Sequence, residues 1–294
     1  MIIWIASYPK SGNTWIRSLV NQILFIDPND KEKILSSLQK NISAYPKINH
    51  FKNLSSTFNK DQDFQQINNI IKNWKTSQNK INTDKNLKFL KTHNILTSIN
   101  LEGQTYDFTN LENTLGVIYV VRDPRNIITS LMNHYSSDED EALEMIKSVY
   151  RNLKDKKDID NYASYSFISS WANNYNSWKN SNIKNKLVIK YEELENHPVD
   201  TFKNVIIFIN NLLNNKAQVD IKKLNKSIQS TKFDKMKKME EKKGFDEAIY
   251  SSDGSKKPFF NLGRKNNYKN LLSKETTKEI EDAFNKEMVE LGYL

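Results

Sequence analysis

"IIWIASYPKSGNTWIRSLVNQILF", residues 2–25, joins two periodicities through a bend. Residues 2–6 are a short apolar run rich in β-branched side chains, the pattern of a buried strand. From residue 14 the apolar positions Trp15, Ile16, Leu19, Val20, Ile23 and Leu24 recur with a helical period. Between them lie Pro9, Lys10, Ser11, Gly12 and Asn13. A strand running into a helix through a glycine-bearing bend is the opening half of a β-α-β unit.

The same design returns downstream. "TLGVIYVVRDPRNIITSLMNHY" (114–135) places an apolar strand at 117–121, a polar bend with a proline, and a helix whose apolar positions are Ile127, Ile128, Leu131 and Met132. "NLKFLKTHN" (86–94) reads as a strand ending at Lys91, and "KLVIKYEEL" (186–194) as a fourth strand. "SFISSWANNYNSWKN" (166–180) reads as the helix before it. Alternating strands and helices predict an α/β fold, a three-layer α/β/α sandwich of P-loop-like design with a central parallel sheet and helices on both faces. Residues 27–85 are polar with scattered helical periodicity, as in "FQQINNIIKNWK", and are expected to form a helical cap inserted on the acceptor side. Residues 136–160 are highly charged and predict a surface helix and loop; from 200 onward, helices surround the loop "SSDGSKKPFFNLGRKNNYKN" (251–270). No repeat or linker interrupts the 294 residues, so one domain, 1–294, is expected.

Composition narrows the chemistry. There is no cysteine, which excludes disulfides, thiolate catalysis and cysteine-bound zinc, and suits a reducing compartment. His50, His93, His134 and His197 show no metal-ligand spacing, and no acidic cluster suggests a metal. The formal charge of +9 fits three readings: a solvated lysine-rich surface, an anionic small ligand, or nucleic acid. The densest basic run, "KFDKMKKMEEKKGF" (232–245), is interleaved with acids, which argues against nucleic acid. No apolar run approaches the ~18 residues of a membrane span, and the amino end lacks the pattern of a signal peptide, so a cytoplasmic location is expected.

In an open α/β sheet, ligands bind beyond the carboxyl ends of the strands. In "YPKSGNTW" (8–15), Gly12 lets the backbone approach a ligand, and the amide groups opening the helix favour an anion. Lys10 adds a full charge; Ser11, Asn13 and Thr14 add donors. An ordinary strand-to-helix turn accounts for the Ser, Gly and Asn but not for the lysine. In "VVRDPRNIITS" (120–130), Arg122 follows the strand and Ser130 lies two turns into the helix, a pairing that suits a second anion. Arg-Asp-Pro is also a good structural turn, with Asp123 capping and Pro124 at the first helical position. Two anion sites on one sheet suggest a ligand with phosphates at both ends.

These stretches resemble the sulfotransferases that use 3'-phosphoadenosine 5'-phosphosulfate (PAPS). "YPKSGNTW" resembles the family's 5'-phosphosulfate loop, with Asn13 where many members have Thr. "YVVRDPRNIITS" resembles its 3'-phosphate motif, "KTHN" (91–94) the segment with its catalytic histidine, "IKYEEL" (189–194) its Tyr-Glu segment beside adenine, and "STKF" (230–233) its Thr-x-Phe adenine contact. The five occur in order along nearly the whole chain. One stretch departs. Where the family carries a basic pair before a glycine, "NLGRKNNYKN" (261–270) keeps Gly263 but places Arg264 and Lys265 after it.

The resemblance implies sulfuryl transfer from PAPS to a hydroxyl or amine of a small-molecule, sugar or lipid acceptor, leaving adenosine 3',5'-bisphosphate (PAP), with no metal required. It assigns His93 as general base, Lys10 to the leaving bridging oxygen, and Lys91 and Ser130 beside them as catalytic residues. Lys10, Ser11, Gly12, Asn13, Thr14, Trp15, Arg122, Ser130, Tyr191, Thr231, Phe233, Gly263, Arg264 and Lys265 would bind the donor. His50, His134 and His197 read as structural. A homodimer is a further expectation of the family, whose dimer motif has a loose counterpart at "KNLLSKETTKE" (269–279). Two rival readings stay open. A P-loop nucleotide kinase shares the cradle but not the G-x-x-x-x-G-K-[ST] spacing. A non-catalytic nucleotide binder would be indifferent to His93.

Overall fold

A computed structural model of the protein describes residues 1–27, 30–51, 54, 63–153, 165–250 and 256–294. Parts of the expected cap (28–29, 52–53, 55–62), of the charged loop (154–164) and of the glycine-bearing loop (251–255) lie outside the described residues. The fold is α/β around a central five-strand parallel sheet, as the alternation predicts. Its strands are β1 (Ile2–Ser7), β2 (Ile42–Ala44), β3 (Lys88–Thr92), β4 (Thr114–Val121) and β5 (Lys186–Lys190), in the order β2-β3-β1-β4-β5. β1 is buried along its full length, as a central strand covered on both faces must be. It pairs parallel with β3 from Ile2↔Lys88 to Ala6↔Thr92.

Three expectations change. Residues 42–44 are not cap but the edge strand β2, in register with β3 from Ile42↔Phe89 to Ala44↔Lys91. Three residues carry no period to read; the open edge of β3 recruits them. The helix expected at 166–180 is confined to Trp171–Lys179, because Ser170 caps it through its side chain and Phe167 pairs antiparallel with Asn152. The strand expected at 186–194 stops at Lys190, and Tyr191–Asn196 turns helical, with Glu192 and Glu193 in a first turn that favours acids.

The chain groups into two compact units. The first (1–8, 42–119, 149–188) holds β1 to β3 and most of β4 and β5. Its core is aromatic: the Trp4 ring lies 5.5 Å from Tyr45, 5.7 Å from Phe108 and 6.2 Å from Trp178, and Trp74 meets Phe108 edge-on at 5.2 Å. All five side chains are buried, and such rings dominate core energetics because each hides roughly 150–250 Å².

The second unit (9–41, 120–148, 189–294) holds the helices that matter below. They are α1 (Asn13–Leu24), α2 (Pro124–Tyr135), α4 (Tyr191–Asn196), α5 (Pro198–Leu212), α6 (Ile221–Ser230) and α7 (Phe233–Lys243), with α3 (Trp171–Lys179) belonging to the first unit. α1 buries Ile16, Leu19 and Val20, the face its period predicts. α2 starts as the Arg-Asp-Pro turn predicts: Asp123 accepts from the Arg125 amide, and Pro124 opens the helix. Among the described residues no helix is long and apolar enough to cross a membrane.

His50 gives the first unit a pH response. Its ring stacks on Tyr45 at 5.2 Å, and its Nδ1 accepts from the Lys47 amide at 3.2 Å, so it is held neutral. Burial, with Lys47 adding to it, lowers its pKa to about 4. The unfolded chain, with a histidine near 6.5, therefore binds the extra proton first as pH falls. The stability is fully present above pH ~6.5 and drains away toward pH ~4, by up to about 3 kcal/mol. Urea unfolding between pH 7 and 4.5 should show this slope. It should flatten in His50→Asn, whose amide oxygen still accepts from Lys47; equal slopes would overturn the assignment.

Candidate active site

The loop after β1 folds as its residues require. Lys10 takes φ 66°, and Gly12 takes φ 93°. A Cβ on Gly12 would sit 2.3 Å from the Tyr191 ring, so both conformation and space demand glycine here. No side chain caps the amino end of α1. Ser11 is fully buried, yet its Oγ finds no hydrogen-bond partner among the described residues. A buried, unsatisfied hydroxyl costs stability unless a ligand satisfies it. The Lys10 ammonium lies 4.3 Å from the Phe259 ring centre and 3.5 Å from His134 Nδ1.

Arg122, at the end of β4, ties this loop to the second motif. Its Nη1 donates to the Lys10 carbonyl at 3.0 Å and to Ser130 Oγ at 3.2 Å. Its guanidinium rests 4.2 Å from the Tyr191 ring centre, and its buried Nε has no partner among the described residues. Tyr191, opening α4, donates its hydroxyl to Glu195 at 3.1 Å; burial above all raises its pKa to about 12, so it stays a neutral donor. Glu192 accepts from the Asp123 amide and the Tyr293 hydroxyl, and burial raises its pKa. Trp15 packs edge-on against Tyr191 and Phe202, and its indole N–H has no acceptor among the described residues.

Thr231 ends α6 with its hydroxyl on the Ser227 carbonyl, and Phe233 opens α7. A Cβ on Gly263 (φ 55°) would come within 2.8 Å of the Phe233 ring, so the "STKF" and "NLGRK" stretches meet there. The displaced basic pair is exposed: Arg264 reaches the Glu195 carbonyl at 3.4 Å, and Lys265 faces outward. Thr14 donates to Glu247 at 3.2 Å, and the same carboxylate holds the buried Arg17 at 2.6 Å.

The remaining candidates belong to the first unit. Lys91 sits half-buried in β3. His93 follows the strand; the β1–β3 register brings it beside Ser7, whose carbonyl lies 2.8 Å from its Nδ1. A carbonyl only accepts, so Nδ1 carries the proton and Nε2 holds the lone pair in the neutral ring. The His93 carbonyl accepts from Asn174, which is fully buried on α3 and itself accepts from the Tyr119 hydroxyl at 2.8 Å. The imidazole is thus oriented as a proton acceptor.

Sequence reasoning missed His134, Glu247 and Asn174, and also Asn266, whose Nδ2 donates to Ser130 Oγ at 3.0 Å. His134 reads as a helix end, yet it is one turn beyond Ser130, and that spacing was the signal for a shared face. Glu247, Asn174 and Asn266 carry no local signal. Their roles arise from contacts at 230, 81 and 136 residues' separation.

Comparison with known proteins follows the same line. The profile of the "Sulfotransferase domain" family matches residues 2–292. Mouse (Mus musculus) "Sulfotransferase 1B1" is 22% identical over 290 residues, which cover 97% of this chain and 82% of that protein. Among solved structures, retinol dehydratase in complex with androsterone and inactive cofactor PAP superposes with a TM-score of 0.58 at 15% identity, covering 98% of this chain and 80% of that one. Mouse sulfotransferase SULT7A1 complexed with PAP superposes at 0.57 and 17% identity, covering 98% and 84%.

Proposed function

Because the chain belongs to the sulfotransferase domain family, we propose that it transfers the sulfuryl group of PAPS to a hydroxyl or amine of a small-molecule, sugar or lipid acceptor. One observation carries this reading: Arg122 joins the Lys10–Gly12 loop to Ser130, so one guanidinium links two anion cradles. A donor with a 5'-phosphosulfate and a 3'-phosphate fits such a pair. The unsatisfied Ser11 hydroxyl and Arg122 Nε fit its oxygens.

When bound, the donor supplies a sulfur whose bond to the bridging phosphate oxygen breaks as the acceptor oxygen or nitrogen bonds to it. His93 Nε2 takes the proton released by the acceptor, a task its fixed tautomer suits. Lys10 meets the electron pair left on the bridging oxygen, supported by the amides that open α1. Lys91 helps hold the sulfuryl oxygens. Arg122 and Ser130 hold the 3'-phosphate, and Trp15, Tyr191, Thr231 and Phe233 surround the adenine, with Gly263 keeping the adjacent loop close to Phe233.

Calorimetry in EDTA should give micromolar or tighter binding of adenosine 3',5'-bisphosphate, and radiolabelled PAPS should pass its label to at least one acceptor in a panel of phenols, alcohols, sugars and amines. Failure to bind the bisphosphate, with magnesium-dependent binding of ATP instead, would return the protein to the kinase reading.

A further inference from the structure

We propose that Asn266 positions the Ser130 hydroxyl to donate to the donor's 3'-phosphate. The proposal rests on the PAPS reading above. A serine hydroxyl has one proton to give and two lone pairs to fill. In Ser130 both lone pairs are occupied: Arg122 Nη1 donates at 3.2 Å and Asn266 Nδ2 at 3.0 Å. The orientation of the Asn266 amide is set independently. Its Nδ2 also lies 2.9 Å from the Asn126 carbonyl, which only accepts, while its Oδ1 takes the Thr129 hydroxyl. Neither donor can accept a proton, so the Ser130 O–H must point along the remaining direction. Among the described residues no acceptor meets it there.

The loop's own charges are placed differently from Asn266. Arg264 and Lys265 are exposed, whereas Asn266 is buried against α2. Asn266 has a second effect. By occupying the Asn126 carbonyl it denies Ser130 the usual bond of a helical serine to the carbonyl four residues back. Without Asn266 the Ser130 proton turns onto that carbonyl and leaves the ligand.

The test compares adenosine 3',5'-bisphosphate with adenosine 5'-monophosphate by calorimetry on the full chain. In the parent the bisphosphate should bind roughly 100-fold more tightly, since its extra phosphate gains charge-assisted hydrogen bonds. Asn266→Ala should remove about 10-fold of that ratio and leave the monophosphate within about twofold. Asn266→Asp keeps the shape but replaces the Nδ2 donor with an acceptor that captures the Ser130 proton and repels phosphate, so it should remove nearly all of the ratio. A merely structural role predicts the reverse order, with the isosteric Asp variant milder and both ligands weakened in parallel. Either of those results overturns the proposal. A parent that binds both nucleotides equally well would instead bring down the PAPS reading itself.

Discussion

His93→Ala will bind adenosine 3',5'-bisphosphate within about twofold of the parent and transfer sulfuryl about 10²–10⁴-fold more slowly, the usual contribution of a placed general base. The split between binding and turnover follows from where the residue sits. The donor-binding candidates from Lys10 to Lys265 all belong to the second unit, and His93 belongs to the first. Its Nδ1 is engaged with the Ser7 carbonyl, so the variant loses the ring and with it the proton acceptor. Single-turnover rates with preloaded PAPS, beside calorimetric affinities, check this directly. Parent-like turnover would remove His93 as the base. Asn174→Ala offers a milder companion measurement, because Asn174 holds the His93 carbonyl rather than its ring.

Lys10→Met should be the second most damaging change, costing about 10²–10³-fold in turnover, the scale of removing one preorganised charge from a developing anion. Met keeps most of the aliphatic stem and removes the ammonium, together with its contact over the Phe259 ring. The effect should exceed that of Phe233→Ala, whose ring packs against Gly263 and, on the proposed reading, against the adenine, where no charge develops. A larger turnover loss from Phe233→Ala would reverse the ranking and shift the weight of catalysis to binding. The contact between Lys10 and His134 Nδ1 makes His134 a useful reference in the same experiment.

Much of this protein was legible before folding because its informative segments are local. The run from Ile2 to Leu24 contains a complete strand, bend and helix, and each announces itself by a period or by a residue with one conformational use. Gly12 is such a residue, since its φ of 93° is open to few others. The same holds for the Arg-Asp-Pro start of α2 and for the histidine just past β3. Motifs of this kind can be read in the sequence because they place the needed residue types next to one another.

What folding alone decided are the contacts that close over long separations. β2 exists because β3 presents an open edge to residues with no strand period of their own. Tyr191 turns from the end of a strand into the start of a helix, and there its ring fills the space that Gly12 leaves. The cations of the Gly263 loop follow the glycine in sequence, and in space they are exposed while Asn266 takes the buried position. Periodicity specifies which face of an element is apolar, but not which distant polar side chain will fill the last lone pair. That choice depends on packing between segments more than a hundred residues apart, as Asn266 and Ser130 are.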